Sequence, residues 1–265
     1  MSRPQQDFSR LVAYMEQYPY AAVAFSGGTT SALLVCALYE SHGKSAPVIT
    51  ANTPFFTQEE IYRVHEILDD YPKMRSERVA MADLLNIVSE ASEDRCKTCA
   101  KEVSARLLKA AHGIGAGVLF DGKTTDTGVC SILTGEEQGI RAASPLAELG
   151  YTRQDAQDML RAVGRSYYIR PANDCLACRF APGETIDISK LDYIESAEKY
   201  IRRYTRRGMR VYFDHNKAYV FSEEAFGKNQ KQDIECELLL QGKSILVTEV
   251  LIQDGRGSFW RDANR

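Results

Sequence analysis

The stretch Ala21-Ala22-Val23-Ala24-Phe25-Ser26-Gly27-Gly28-Thr29-Thr30-Ser31 decides the fold of this chain. An apolar run typical of a buried strand ends in a Ser-Gly-Gly turn, and a helical pattern over residues 31–40 follows at once. Two glycines let the backbone turn tightly and approach an anion, while free N–H groups and the positive end of the helix favour phosphate. The stretch therefore predicts a phosphate-binding turn, with an ordinary strand-to-helix turn as the alternative.

The composition is that of a globular chain. At 265 residues with 44% hydrophobic content, it is long enough for one large domain or two smaller ones. No stretch approaches the length of a membrane span, and the first residues lack the apolar core of a signal peptide. We therefore expect a cytoplasmic protein without a membrane partner. The net charge of −3 argues against a nucleic-acid partner.

One local concentration of positive charge contrasts with the negative net charge of the chain. It contains the arginines Arg202, Arg203, Arg206, Arg207 and Arg210. Their spacing predicts that several lie along one side of a helix, where they would contact phosphates or tRNA, or else form a solvated face.

Apolar runs alternate with helical patterns in the first part of the chain, which indicates a parallel sheet covered by helices. The predicted strands cover residues 21–25, 47–51, 74–79 and 117–120, and the predicted helices cover residues 31–40, 58–70 and 101–111. Asn52 and the pair Asp121 and Gly122 each follow a predicted strand, as the Ser-Gly-Gly turn does. All would lie at the carboxyl ends of the strands, where open α/β sheets bind ligands.

The pattern changes from about residue 152. Predicted helices cover residues 153–163, 189–206 and 231–240, and predicted strands cover residues 209–213, 217–221 and 244–251, before a frayed tail over residues 255–265. We therefore predict an α/β nucleotide-binding domain over residues 1–150 and a smaller α+β domain over residues 151–265.

Seven cysteines occupy positions 36, 96, 99, 130, 175, 178 and 236, and four of them form two Cys-x-x-Cys pairs. In a reducing compartment, such a set indicates metal or thiolate chemistry rather than disulfides. Cys36 lies in an apolar helical stretch and Cys236 in an amphipathic one, so both are predicted to be core residues.

The remaining cysteines are candidates for chemistry. Three thiolates, Cys130, Cys175 and Cys178, could hold a [4Fe-4S] cluster whose fourth iron stays open to another ligand. Four thiolates would suit structural zinc or a closed cluster, which Cys96 and Cys99 could complete. That pair could also act as a persulfide relay, or be structural or oxidisable.

The Ser-Gly-Gly turn resembles the pyrophosphate loop of the PP-loop ATPases, whose pattern is Ser-Gly-Gly-x-Asp-Ser. These enzymes split ATP into AMP and pyrophosphate to adenylate an oxygen atom, so the resemblance implies a Rossmann-like fold that binds ATP and Mg²⁺. Thr30 stands where the pattern has aspartate, which removes a carboxylate that would help to hold magnesium. The implied nucleotide- and magnesium-binding residues are Ser26, Gly27, Gly28, Thr30, Ser31, Asp121, Gly122 and Asp126.

A longer series of motifs resembles the LarE family, the sulfur transferases of nickel-pincer cofactor synthesis. In order, the series comprises the phosphate turn, Arg95-Cys96-Lys97-Thr98-Cys99, Asp121-Gly122 with Asp126, Arg141, Ser144-Pro145-Leu146-Ala147-Glu148 and Cys175-Leu176-Ala177-Cys178-Arg179. The resemblance covers most of residues 20–190 and is weak beyond residue 200. It implies an enzyme that adenylates a carboxylate of a pyridinium biscarboxylic acid mononucleotide and then replaces AMP by sulfur.

The LarE resemblance also implies roles for individual residues. Cys175 matches the cysteine that some members sacrifice as the sulfur source. Together with Cys130 and Cys178 it matches the three-cysteine form, in which a [4Fe-4S] cluster delivers sulfide repeatedly. Arg179, as a catalytic residue, is a candidate for binding the substrate's phosphate or carboxylates. Arg210 is a second candidate for this binding, only because it stands at the arginine-bearing start of a predicted strand, and a surface salt bridge is the alternative. The implied partners are a small nucleotide-like carboxylate, a sulfide or persulfide donor and further copies of the chain.

Two other functions fit the same sequence. A tRNA 2-thiolation enzyme would use the arginines around Arg202–Arg207 to bind the RNA backbone. A non-catalytic nucleotide-binding or iron–sulfur protein would explain why Thr30 replaces the aspartate of the pyrophosphate loop.

Overall fold

The computed structural model of the protein describes residues 1–89, 94–127, 136–137, 139–170 and 175–254. The chain forms two compact units. The first comprises Met1–Thr53, Gln58–Ala82 and Lys97–Ala172, and the second comprises Pro54–Thr57, Asp83–Cys96 and Asn173–Arg265. The boundary expected near residue 150 stays a prediction.

The first unit is built on a mainly parallel sheet. Its described strands are β1 (Ala21–Ala24), β2 (Pro47–Asn52), β3 (Arg75–Ala80), β4 (Val118–Phe120), β5 (Glu136–Glu137) and β6 (Ile140–Ala143). They lie in the order β3-β2-β1-β4-β6-β5, and only β5 is antiparallel to its neighbour. Val23 at the centre pairs with Val48 on one side and Phe120 on the other. The predicted α/β Rossmann-like class is confirmed.

Helices flank this sheet. They are α1 (Arg3–Glu16), α2 (Thr29–His42), α3 (Gln58–Asp69), α6 (Pro145–Glu148), α7 (Arg153–Ala162) and, from Lys97 onward, α5 (Arg95–Gly113). The short helix α4 (Leu84–Val88) belongs to the second unit. Helices α1, α2 and α7 pack against one another, so every residue of α2 from Ala32 to Leu38 is buried. The sequence patterns missed α1 and β6. Of the helices in the described ranges, none is long and apolar enough to cross a membrane.

The second unit contains a small sheet of three described strands, in the order β7 (Met209–Asp214), β8 (Lys217–Ser222) and β9 (Glu249–Asp254). Strands β7 and β8 form a hairpin whose two turn residues, His215 and Asn216, both have positive φ, as a tight hairpin turn requires. Helices α8 (Ile188–Ile201) and α9 (Lys228–Gln241) pack against each other, α8 against β7 and α9 against β9. A 3₁₀ turn, Leu176–Arg179, packs against α8 and β7.

Three expectations about this second unit are wrong. The arginine-rich stretch does not follow one side of a helix, because α8 ends at Ile201 and hydrogen bonds to the third preceding residue tighten the chain there. Cys236 is exposed rather than in the core, because the buried face of α9 presents Ile234 and Leu238. The last strand begins only at Glu249, since Gly242–Ile245 form a 3₁₀ turn. The predicted tail over residues 255–265 lies outside the described residues.

Candidate functional site

The phosphate turn lies where the strand order of the first sheet reverses. β1 and β4 are neighbours, but β1 leads to β2 on its other side and β4 leads towards β6. Ligands of open α/β sheets bind at such a switch point, beyond the carboxyl ends of the strands. The segments that follow β1 and β4 are the Ser-Gly-Gly turn and the pair Asp121 and Gly122. The structure therefore brings two sequence-predicted segments to one edge of the sheet.

The backbone of the turn has the geometry of an anion cradle. Gly27 adopts a φ of 76°, which side chains of L-residues rarely allow, and Gly28 caps the N-terminus of α2. Ser26 Oγ and Ser31 Oγ lie 3.2 Å apart, and Ser31 Oγ donates to the carbonyl of Gly28 at 3.1 Å. The first N–H groups of α2 have no partner inside the helix, so they are available to phosphate oxygens at its positive end.

Gly122 packs directly on this turn. A Cβ atom built on Gly122 would stand 2.6 Å from Thr30 Oγ1 and 2.9 Å from Ser31 N. Since real Cβ contacts are essentially never that short, the close approach of the two segments requires glycine. The sequence predicted Gly122 from its place after a strand, and the structure gives its steric reason.

Two residues that the sequence patterns do not indicate hold the turn, Arg63 through its side chain and Arg170 through its backbone. Arg63 on α3 is 8% exposed, and its Nε donates to the Gly27 carbonyl at 3.0 Å while its Nη2 donates to the Tyr168 carbonyl at 2.5 Å. Burial and the nearby charge of Arg170 lower the pKa of Arg63. The backbone N–H of Arg170 donates to Thr29 Oγ1 at 2.9 Å. Neither arginine lies in a recognisable motif, so only the tertiary structure identifies them.

The two predicted magnesium carboxylates have different surroundings. Asp121 is buried, and this burial raises its pKa, although the Lys123 N–H donates to Asp121 Oδ1 at 3.1 Å. Asp126 is exposed, and hydrogen bonds from the Thr124 side chain and the Arg153 backbone lower its pKa. A carboxylate that burial destabilises is well suited to a cation. Asp121 is therefore the stronger magnesium candidate of the two.

A cluster of thiols lies in the second unit. Cys175 caps the 3₁₀ turn that carries Cys178, and their sulfur atoms lie 3.6 Å apart. Cys96, in the first turn of α5, places its sulfur 3.9 Å from that of Cys178. Cys99 lies one helical turn further along α5, in the first unit, and Cys130 lies outside the described residues.

Arg95 interacts electrostatically with Cys96, Cys178 and Cys175. The residue is 8% exposed, and its Nη2 donates to the carbonyl of Phe180 at 3.0 Å. Burial lowers the pKa of Arg95, and the charges of Cys96, Cys178 and Cys175 oppose this shift. The guanidinium thus joins the start of α5 to the segment that follows the Cys-x-x-Cys turn.

The two predicted substrate arginines are placed in the same unit. Arg179 is 1% exposed, and its Nε lies 3.2 Å from Glu198 Oε1 on α8, an acceptor that also receives the Val211 N–H at 3.0 Å. Its guanidinium lies 5.8 Å from the ring centre of Tyr212. Arg210 in β7 is half-buried, and its Nη1 donates to the Met209 carbonyl at 2.6 Å. Their roles in substrate binding stay predictions.

The described residues fit the groups that the family resemblance implies. The glycine turn and the start of α2 fit a polyphosphate, and Asp121 fits its magnesium ion. Cys175 and Cys178, whose sulfur atoms lie 3.6 Å apart, offer two of the thiolates that the implied cluster would use, and the third, Cys130, lies outside the described residues.

The fold and these two clusters define an α/β protein with a glycine-built turn at a switch point of the sheet in one unit and a thiol-rich turn in the other. No family model matches the chain. An uncharacterized protein of Synechocystis is 30% identical over 207 residues, which cover 76% of this chain and 75% of that one. The chain belongs to the family of this Synechocystis protein.

Two further relatives extend the comparison. An uncharacterized protein of Methanocaldococcus jannaschii is 26% identical over 80% of this chain and 82% of its own length. The pyridinium-3,5-bisthiocarboxylic acid mononucleotide synthase of Lactiplantibacillus plantarum is 24% identical over 81% of this chain and 79% of its own. The chain is thus a distant homologue of a LarE-type synthase.

Proposed function

We propose that this protein is an ATP-dependent sulfur transferase that acts on a carboxylate of a small nucleotide-like molecule. The observation that carries the proposal is the glycine-built turn at the β1/β4 switch point, with Gly122 packed on Thr30. The distant similarity to a bisthiocarboxylic acid mononucleotide synthase supports sulfur transfer and a pyridinium biscarboxylate type of substrate.

The phosphate turn would serve the activation step. The carboxylate oxygen attacks the α-phosphorus of ATP, the bond to pyrophosphate breaks, and the carboxylate becomes an acyl adenylate. Ser26, Ser31 and the first N–H groups of α2 hold the departing pyrophosphate, while Asp121 holds the magnesium ion that neutralises its charge. Thr30 offers a hydroxyl in place of the aspartate, so Asp121 carries more of the magnesium binding.

The thiol cluster would serve the second step, in which sulfur attacks the activated carbonyl carbon and AMP departs, leaving a thiocarboxylate. Cys130, Cys175 and Cys178 would hold a [4Fe-4S] cluster, whose open iron supplies a renewable sulfide when the cluster is bound. Cys175 and Cys178 are half-buried, which shields a reactive sulfur from water while leaving it accessible to substrate.

Pyrophosphate release tests the proposal. Protein purified without oxygen is mixed with ATP, Mg²⁺ and a series of carboxylates that includes pyridinium-3,5-biscarboxylic acid mononucleotide, and both pyrophosphate and thiocarboxylate are measured. Carboxylate-dependent pyrophosphate followed by thiocarboxylate is the expected result. ATP binding without cleavage, with every carboxylate, would instead identify a non-catalytic nucleotide-binding protein.

The structure does not favour tRNA thiolation. That function requires arginines along one side of a helix, whereas α8 ends at Ile201, before all five of the arginines. The acidic net charge of −3 points the same way.

A further inference from the structure

Three cysteine sulfurs of the second unit form a chain of contacts with Cys178 at its centre. Cys178 Sγ lies 3.6 Å from Cys175 Sγ and 3.9 Å from Cys96 Sγ. The sulfurs of Cys96 and Cys175 lie more than 4.8 Å apart, since the three atoms are not all within that distance of one another. Cys178 is therefore the one sulfur of the three that has both of the others as neighbours.

Both contacts are close enough for the thiols to become bonded. A disulfide bond is about 2.05 Å long, so Cys178 Sγ must approach Cys175 Sγ by about 1.6 Å or Cys96 Sγ by about 1.9 Å. Rotation of a cysteine side chain between staggered rotamers moves its sulfur by distances of this order. The contacts thus require side-chain movement to close, and not a rearrangement of the chain.

The local backbone brings the first pair together. Cys175 caps the 3₁₀ turn Leu176–Arg179, and the N–H of Cys178 donates to the Cys175 carbonyl at 3.0 Å. This turn folds the Cys-x-x-Cys segment so that its two sulfurs meet, and such segments are typical of disulfide exchange. The second partner, Cys96, is 82 residues away in the chain, in the first turn of α5, and only the tertiary structure places it beside Cys178.

The surroundings also suit exchange. All three cysteines are half-buried, so a small oxidant has access to them. Arg95 is 8% exposed and interacts electrostatically with all three. Because thiol–disulfide exchange proceeds by attack of an anionic sulfur, a positive charge at this place favours it.

We propose that Cys96, Cys175 and Cys178 form a reversible disulfide-exchange site, in which Cys178 pairs with either of the other two. The co-reactant is a low-molecular-weight disulfide. One protein thiolate attacks it, forms a mixed disulfide and releases one small thiol. The neighbouring protein sulfur then attacks the protein sulfur of that mixed disulfide and releases the second small thiol. The two protein thiols lose two electrons and two protons, and the small disulfide is reduced to two thiols.

The two pairings interconvert without an oxidant. Cys96 attacks Cys178 in the bond between Cys175 and Cys178, a bond between Cys96 and Cys178 forms, and Cys175 leaves as a thiolate. Either pairing occupies Cys178, a thiol that the proposed cluster needs, so oxidation would switch off sulfur delivery and a thiol reductant would restore it. This last consequence rests on the proposed function, whereas formation of the disulfide does not.

Disulfide mapping of the full-length chain tests the site. Protein is purified without oxygen, treated with a chelator to remove bound metal and equilibrated with glutathione buffers of increasing oxidised fraction. The remaining thiols are counted by maleimide labelling, and the disulfides are located by proteolysis and mass spectrometry. The variants are Cys96→Ser, Cys175→Ser and Cys178→Ser. Cys236→Ser is the matched control, because Cys236 is an exposed cysteine of the same unit.

We expect the wild type and Cys236→Ser to lose two thiols per chain to a disulfide that contains Cys178. Cys96→Ser should join only Cys175 to Cys178, and Cys175→Ser should join only Cys96 to Cys178. Cys178→Ser should form at least about tenfold less internal disulfide, because the two remaining sulfurs are not neighbours and a disulfide requires close approach. Thermal stabilisation by ATP shows that each variant remains folded.

Three results would overturn the inference. The first is a wild-type protein that keeps its thiols or forms only mixed disulfides with glutathione. The second is a wild-type disulfide that joins Cys96 to Cys99 and leaves Cys178 reduced. The third is an equal yield of internal disulfide in Cys178→Ser and the wild type. None of these results bears on pyrophosphate release, so the proposed function is judged separately.

Discussion

The guanidinium of Arg63 holds the carbonyl of Gly27 at 3.0 Å, from a position 36 residues further along the chain. Because the same guanidinium also holds the carbonyls of Tyr167 and Tyr168, it fixes the phosphate turn to a second backbone segment. The turn is thus shaped by its glycines and held in place by a buried cation.

Replacing Arg63 by methionine keeps much of the side-chain volume and removes these hydrogen bonds. We expect the free energy of unfolding to fall by about 2–3 kcal/mol, because buried carbonyls lose charged donors. ATP affinity should weaken as well, since Gly27 is no longer held. Arg161→Met is the control, because Arg161 lies on the surface of α7 with 49% of its side chain exposed. Urea unfolding and ATP titration of both variants check the prediction. Equal losses of stability and of ATP affinity in the two variants would contradict it.

Gly122→Ala should weaken ATP binding by about tenfold or more. The added methyl group must displace Thr30 or the backbone of Ser31, and such overpacking costs about 1–3 kcal/mol. Gly117→Ala is the matched control, because a Cβ atom at Gly117 meets nothing within 4 Å. Calorimetric titration with ATP measures the dissociation constants of both variants. An unchanged dissociation constant for Gly122→Ala would show that the close approach of Gly122 to Thr30 is not needed for ATP binding.

Thr30→Asp should increase the rate of pyrophosphate release and the affinity for Mg²⁺. The substitution restores the carboxylate of the pyrophosphate-loop pattern in the first turn of α2, where the helix dipole favours a negative charge. Thr30→Asn keeps the shape without the charge and serves as the control. Pyrophosphate assays across a magnesium series provide the measurement. An aspartate variant that binds ATP and does not cleave it would indicate that the rest of the site is non-catalytic.

Asp121→Asn should make the protein more stable at neutral pH while weakening magnesium-dependent ATP binding. Burial raises the pKa of Asp121 above its ordinary value of 3.8, so the folded state binds the proton more tightly than the unfolded state. Stability therefore falls as the pH rises from that ordinary value through the raised one, and the loss persists above it. Thermal unfolding across this pH range should show a smaller decline in the variant. An identical decline of stability with pH in the wild type and in Asp121→Asn would contradict the prediction.

Arg179→Met should lower the free energy of unfolding by about 3–5 kcal/mol, because it leaves Glu198 charged and buried without its ionic partner. Lys217→Met, which breaks the exposed pair with Glu249, should cost less than about 1 kcal/mol. The double variant Arg179→Met with Glu198→Gln should recover part of the loss. If Arg179→Met instead keeps its stability and loses substrate affinity, the substrate role predicted from the sequence is correct.

Much of the first unit could be predicted from the sequence because its signals are local. The apolar run at Ala21–Ala24, the glycines that follow it and the periodicity of α3 each depend on neighbouring residues, and the structure reproduces their positions within a few residues. The apolar patterns do not predict helix α1, although Ser2 and a proline in its first turn mark its start. The prediction that the arginines after α8 lie on a helix is wrong, because charge spacing alone does not show where a helix ends.

By itself, the sequence determined a parallel α/β sheet with a glycine turn at a strand end, and it singled out the cysteines as candidates for chemistry. Only the tertiary structure decided that Gly122 lies against Thr30, that Arg63 holds Gly27, and that Cys96 joins the Cys175–Cys178 turn. The physical reason is the distance along the chain over which each kind of interaction acts. Backbone conformation and periodicity depend on residues a few positions apart, whereas a site is formed by side chains that packing brings together from distant segments.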